Sequence, residues 1–113
     1  MKLKAGIVGA TGMVGQRFVT LLAEHPYFEI SALIASPRSA GKSYREAVGS
    51  RWKLETPMPE KAAEMTVLSS DDTRAIADAC DFVFCAVNMP KEEVVELEER
   101  LARAELPVVS NNS

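Results

Sequence analysis

The chain has 113 residues, 47% hydrophobic and 26% charged, which fits one globular domain and excludes a disordered tail, a collagen-like rod and a disulfide-rich mini-protein. Thirteen Lys and Arg against 16 Asp and Glu leave a net charge of −3 with His neutral; with no basic run, nucleic acid and anionic membrane are poor partners. No apolar run approaches the ~18 residues of a membrane span, Met1-Lys2-Leu3-Lys4 leads into a strand rather than a signal peptide, and Cys80 and Cys85 supply neither a disulfide framework nor a metal set, so a reduced, cytoplasmic setting is expected.

Residues 3–8, LKAGIV, read as a buried strand. Residues 13–24 read as a helix, with Val14, Phe18, Leu21 and Leu22 on one face by their spacing. His25-Pro26 stops it, because the residue before a proline is pushed out of helical space. Residues 28–35, FEISALIA, form a second strand, and residues 36–41 a loop rich in Ser, Pro and Gly. From Lys42 to Glu64 the pattern is weak; Pro57 and Pro59 interrupt it, and Arg51–Thr56 suits a short edge strand. Met65–Leu68 reads as a third main strand. Asp71 or Asp72 caps a short helix through Ala79. Asp81–Val87, nearly all apolar, suits a strand covered on both faces.

Pro90 suits the first position of a helix over 90–105. Val94, Leu97, Leu101 and Ala104 form its inner stripe. Glu96–Arg100 and Glu99–Arg103 are i,i+4 pairs on its wet side. Pro107-Val108-Val109-Ser110 begins a fifth strand. The alternation of strand and helix predicts an α/β fold: a Rossmann-like, doubly wound, mainly parallel sheet in the order 3-2-1-4-5, with helices on both faces.

Gly9-Ala10-Thr11-Gly12-Met13-Val14-Gly15 carries the chemistry. It follows a strand and opens a helix in the spacing G-x-x-G-x-x-G. Gly9 permits the tight turn, Gly12 lets a pyrophosphate approach the backbone, and Gly15 allows close packing of the helix. The free N–H groups and positive dipole end of the helix then face the phosphates. An NAD site places a carboxylate about 20 residues on, for the ribose 2′-hydroxyl. That region is Ala35-Ser36, and Glu29 sits at the wrong end of the strand. Ser36, Arg38, Ser39 and Lys42 follow instead. Hydroxyls and a guanidinium suit a 2′-phosphate, so NADP is expected over NAD. The competing reading makes Arg38 and Lys42 ordinary loop cations.

With these residues in place, the sequence resembles aspartate-semialdehyde dehydrogenase, closer to its archaeal and fungal-like branch. Residues 5–18, AGIVGATGMVGQRF, and 36–42, SPRSAGK, look like that family's cofactor turn and 2′-phosphate loop. DFVFCAV at 81–87 and PVVSNNS at 107–113 resemble its next two strand ends. N-acetyl-glutamyl-phosphate reductase is similar, less closely. The resemblance implies NADPH reduction of aspartyl-4-phosphate to aspartate semialdehyde and phosphate, through a cysteine thioester, in lysine, threonine and methionine biosynthesis. It implies a homo-oligomer whose catalytic Cys and His lie in a second domain beyond Ser113. This chain is then an NADP-binding domain over 1–113, inactive alone, with no catalytic and no metal-binding residue of its own.

The cofactor residues that the resemblance and the motif assign are Gly9, Thr11, Gly12, Met13, Val14, Gly15, Ser36, Arg38, Ser39, Lys42, Cys85, Ala86 and Asn112. The last three lie at strand ends bordering the crevice of an open α/β sheet. Cys85 and Cys80 read as buried structural thiols rather than nucleophiles. His25 reads as a helix-end dipole partner or an exposed ring, and Trp52 as packing at a sheet edge or against a second domain. A chain without its second domain is expected to expose apolar surface and to self-associate. A stand-alone nucleotide sensor without chemistry is the rival function.

Overall fold

Five strands, β1 (Leu3–Val8), β2 (Phe28–Ala35), β3 (Leu68–Ser69), β4 (Phe82–Cys85) and β5 (Val108–Ser110), form one sheet in the order β3-β2-β1-β4-β5. Every pairing is parallel. The computed structural model describes residues 2–87 and 90–110. Helices α1 (Met13–Leu22), α2 (Tyr44–Val48) and α3 (Glu60–Ala63) cover one face. Helices α4 (Thr73–Ala79) and α5 (Lys91–Arg103) cover the other. This division follows from right-handed crossovers: connections running from β1 toward β3 land on one face, and those returning through β4 to β5 land on the opposite one. The expected order is the observed one.

β1 and β2 do not pair evenly. Ala5 lies opposite Ile30 and Gly6 opposite Ala32, so Ser31 is a bulge. Its hydroxyl hydrogen-bonds the Ala5 carbonyl at 3.4 Å. The extra residue switches the parity of β2. Before it, Phe28 and Ile30 face α1; after it, Leu33 and Ala35 do, while Ala32 and Ile34 join α4 and α5. Gly6 sits beneath Cys80, where a Cβ would stand 2.6 Å from the sulfur.

α1 is shorter than expected and turned about its axis. Its buried residues are Gly15, Gln16, Val19 and Leu22, whereas Val14 is 41% and Leu21 70% exposed. The expected stripe of Val14, Phe18, Leu21 and Leu22 is therefore corrected. The glycine turn dictates the orientation: Gly15 must face the turn's own backbone, which carries Val19 and Leu22 inward with it. Phe18 still packs, stacked on Phe84 with ring centroids 5.0 Å apart. Phe28, Phe82 and Phe84 continue that aromatic cluster across the sheet. No described helix covers β5 on this face, and Val109 is 49% exposed.

The weak region resolves into α2, a 3-10 turn at Gly49–Arg51, and α3. The expected strand at Arg51–Thr56 does not form. The Lys53 N–H donates to Gln16 Oε1 at 3.0 Å instead of entering a ladder, and Pro57 and Pro59 have no N–H to offer. The third strand starts later than expected, at Leu68, because Thr66 bridges Ser43 in antiparallel sense and Val67 bonds to Gly41 and Lys42. Asp72 caps α4, its carboxylate accepting from the Ala75 N–H at 3.2 Å. β4 ends at Cys85, two residues short of the expected Val87.

α5 buries Val94, Leu97 and Leu101; Ala104 lies just past its end, half-buried. Pro90 is its N-cap rather than its first turn. Glu99 and Arg103 pair at 4.0 Å, but Arg100 reaches Asp71 at 3.3 Å rather than Glu96. That contact ties α5 to the approach to α4.

Candidate functional site

The glycine turn joins β1 to α1 at the carboxyl ends of the strands, where ligands of open α/β sheets bind. Gly9 has φ +84°, and a Cβ there would stand 2.8 Å from the Ala86 carbonyl oxygen. A Cβ on Gly15 would fall 2.1 Å from the Gly9 oxygen. Both positions need glycine for the fold itself. Gly12 differs: a Cβ there would meet only the Gly9 oxygen, at an ordinary 3.6 Å, and the backbone is extended at φ −80°, ψ 169°. Nothing among the described residues requires glycine at that point.

The carbonyls of the turn are all engaged within the protein. The Gly9 oxygen accepts from the Gly12 N–H at 3.2 Å, and the Gly12 oxygen from the Gln16 N–H at 2.9 Å. The Ala10 oxygen accepts from the Tyr44 hydroxyl at 2.7 Å. The Thr11 oxygen accepts from Gln16 Nε2 at 3.0 Å, and the same amide group donates to the Arg51 oxygen at 3.0 Å. Gly9 and Ala10 both donate their N–H to the Ile34 oxygen. Burial pushes the Tyr44 phenol up, so it remains a proton donor throughout the neutral range. Sequence reading missed both Gln16 and Tyr44. A polar side chain reaching a carbonyl 34 residues away leaves no local pattern.

The first turn of α1 receives no side-chain cap and holds no acidic residue. Its leading N–H groups have no intrahelical acceptor, and the positive end of the helix dipole is not neutralised. It opens on a cleft of about 270 Å³. Val8, Gly9, Thr11 and Gly12 line one side, Ala35, Ser36 and Ser70 another, and Ala86, Val87 and Leu97 close it. Among the described residues the walls are apolar with a few hydroxyls and bear no carboxylate, which suits an anionic ligand with flat apolar parts. A hollow of about 310 Å³ lies at the opposite end of the strands, lined by Lys2, Glu24, Phe28, Glu29 and Met65 among others. Its acidic groups and its distance from α1's amino end make it the poorer site.

The structure thus brings Gly9, Thr11, Gly12, Ser36 and Ala86 to one cleft. Met13 and Val14 do not line it; with Arg17, Phe18 and Leu21 they border a separate shallow hollow on α1. Arg38 is exposed, on a turn where the Ser39 N–H donates to the Ser36 oxygen at 2.9 Å and the Lys42 N–H to the Ser39 oxygen at 3.3 Å. Gly41, at φ +86°, and Lys42 tie that turn to Val67. Arg38, Ser39 and Lys42 lie outside the cleft lining, beyond Ser36 at its rim. Cys85 is fully buried behind Ala86 rather than in the lining. Asn112 lies outside the described residues.

The other singled-out residues have structural surroundings. Cys80 is buried, its thiol pushed up by desolvation. His25 is half-buried and accepts the Tyr27 N–H at Nδ1, 3.1 Å away, so it shapes the turn into β2 rather than closing a helix dipole. Trp52 packs edge-on to Tyr44 and donates to the Thr56 oxygen at 2.9 Å.

Comparison with known proteins agrees with this geometry. The family described as "Semialdehyde dehydrogenase, NAD binding domain" matches residues 4–113. Aspartate-semialdehyde dehydrogenase of Aspergillus fumigatus is 46% identical over 110 residues, covering 97% of this chain and 29% of that protein. The enzyme of Archaeoglobus fulgidus is 39% identical over 113 residues, covering 100% of this chain and 31% of that one. The crystal structure of aspartate semialdehyde dehydrogenase with NADP from Candida albicans superposes with a TM-score of 0.85 at 41% identity, covering 98% of this chain and 30% of that one. The chain therefore spans about 30% of the length of these relatives.

Proposed function

We propose, because this chain belongs to the semialdehyde dehydrogenase NAD-binding-domain family, that it is the NADP(H)-binding domain of an aspartate-semialdehyde dehydrogenase. The observation that carries the reading is the uncapped start of α1 behind Gly12, a glycine that no contact among the described residues requires. The N–H groups of Thr11, Met13 and Val14 hold the diphosphate. Ser36, Ser39 and Arg38 take the ribose 2′-phosphate, with Lys42 adding charge nearby. Ala86 and Val87 give an apolar wall toward the nicotinamide end, with Cys85 as support beneath it and Asn112 beyond it. The bound dinucleotide supplies the hydride of the reduction.

The reaction of the whole protein follows from the same reading: aspartyl-4-phosphate is reduced to aspartate semialdehyde in a homo-oligomeric enzyme of the cytoplasm. Among the described residues no helix is long and apolar enough to cross a membrane. The catalytic cysteine and histidine are assigned to a second domain, so this chain binds cofactor without turnover. The relatives that match across the chain carry the semialdehyde dehydrogenase name, which favours this reading over an acetylglutamyl-phosphate reductase or a sensor module.

Calorimetric titration with NADP and NAD tests the assignment. NADP is expected to bind more tightly. Arg38→Ala is expected to remove roughly 1.5–3 kcal/mol of that preference, the worth of one charge-assisted contact. Equal affinities that Arg38→Ala leaves untouched would overturn the NADP reading.

A further inference from the structure

We propose that Tyr44 is a positioning residue of the diphosphate site, acting through the peptide bond between Ala10 and Thr11. The proposal rests on the nucleotide reading above and deepens it. Tyr44 is fully buried, and its hydroxyl donates to the Ala10 oxygen at 2.7 Å. The described chain holds no cis peptide bond. In a trans peptide the C=O and the following N–H point in opposite directions. Fixing the Ala10 carbonyl on Tyr44 therefore aims the Thr11 N–H away from the core, and Thr11 lines the cleft.

The electrostatics point the same way. A carbonyl oxygen facing the cleft repels phosphate, whereas an N–H attracts it. Gly9 and Gly12 oxygens are held by the backbone. Those of Ala10 and Thr11 are held by side chains alone, Tyr44 and Gln16. Gln16 also fastens Arg51 and Lys53, so it carries a general structural load. Tyr44 uses its single polar atom on the turn. It also begins α2, where its N–H donates to the Met65 oxygen at 2.8 Å, two residues past Lys42. The backbone anchors Tyr44 beside the loop, and the hydroxyl alone reaches the glycine turn.

Tyr44→Phe keeps the ring and removes the donor. The Ala10 oxygen is then free to swing toward the cleft. The expected result is a three- to tenfold weaker affinity for NADP, about the effect of one neutral hydrogen bond. Affinity for adenosine 2′-monophosphate, which lacks the diphosphate, is expected to stay unchanged. A loosened fold would weaken both ligands alike, and that outcome overturns the proposal. So does an unchanged NADP affinity. Should the variant not fold, the unmodified chain decides: NADP is expected to shift the Thr11 amide resonance strongly and adenosine 2′-monophosphate to leave it in place. A Thr11 amide indifferent to NADP overturns the role of Tyr44 while the function stands. Failure of the unmodified chain to bind NADP at all overturns the functional reading instead.

Discussion

Gly12 and Gly15 share a motif but answer to different demands. Gly15 sits against the Gly9 oxygen, and a methyl group 2.1 Å from a backbone atom forces the turn and helix apart. Gly15→Ala is expected to cost at least about 2–3 kcal/mol of stability, as overpacking does. Gly12→Ala makes only an ordinary contact with the Gly9 oxygen, at 3.6 Å, in a backbone conformation any residue adopts, so its stability cost is expected below about 1 kcal/mol. Its NADP affinity is nevertheless expected to fall at least tenfold, because the proposed function runs the phosphates past the position the added methyl takes. Denaturant titration and calorimetry on the two variants separate these effects; a Gly12→Ala protein that binds NADP normally would return Gly12 to a plain turn. The spacing of the glycines made the turn and the candidate site legible in the sequence, yet it could not distinguish their roles, since both read as G in the same pattern.

At the scale of elements, α5 was legible and α1 only in part. Thirteen residues of α5 give the periodicity room to declare a face. In α1 two of the apolar residues, Val14 and Leu21, are on the outside while Val19 and Leu22 are buried, because a glycine contact rather than hydrophobicity fixes the rotation. The short α2 and α3 have five and four residues, fewer than two helical turns, and no window could reveal them. The end of α5 holds a testable flaw. The Glu105 N–H donates to the Ala102 oxygen and the Leu106 N–H to the Leu101 oxygen, a Schellman closure that places Glu105 at φ +60°. Leu101 and Leu106 pack together beneath it. Glycine is the residue that conformation favours, so Glu105→Gly is expected to raise stability by roughly 0.5–1 kcal/mol, measured by urea denaturation. A loss of stability would mean that the Glu105 side chain makes a contribution the backbone geometry does not reveal.

For the molecule as a whole, strand order was the most legible property. The handedness of crossovers leaves few ways to arrange five alternating strands. Burial of acidic protons is a property the linear pattern does not record. The Tyr44 phenol and Cys80 thiol are both raised above their ordinary values of 10.0 and 9.0, chiefly by desolvation. Each is raised in the folded state, so at alkaline pH the native chain holds protons that the unfolded chain has released. Stability is then fully retained below about pH 9 and falls as pH rises beyond it, with a limiting slope of about 1.4 kcal/mol per pH unit for each group. Urea midpoints from pH 8 to 10.5 are expected to show the decline, and Tyr44→Phe to flatten it above pH 10. A level profile in the unmodified chain would contradict the burial of these groups.

The odd residue in β2 has a reach beyond its own strand. Ser31 is accommodated without a partner opposite it, so the strand delivers its last residues to the cleft one position later than a regular ladder would. Excising Ser31 would drag Ser36 and Arg38 back by one strand rise, about 3.3 Å, and reverse which side chains of the preceding segment are dry. A single surplus serine thereby sets how far the Ser36–Lys42 segment, which the proposed function assigns to the ribose 2′-phosphate, extends past the end of the sheet.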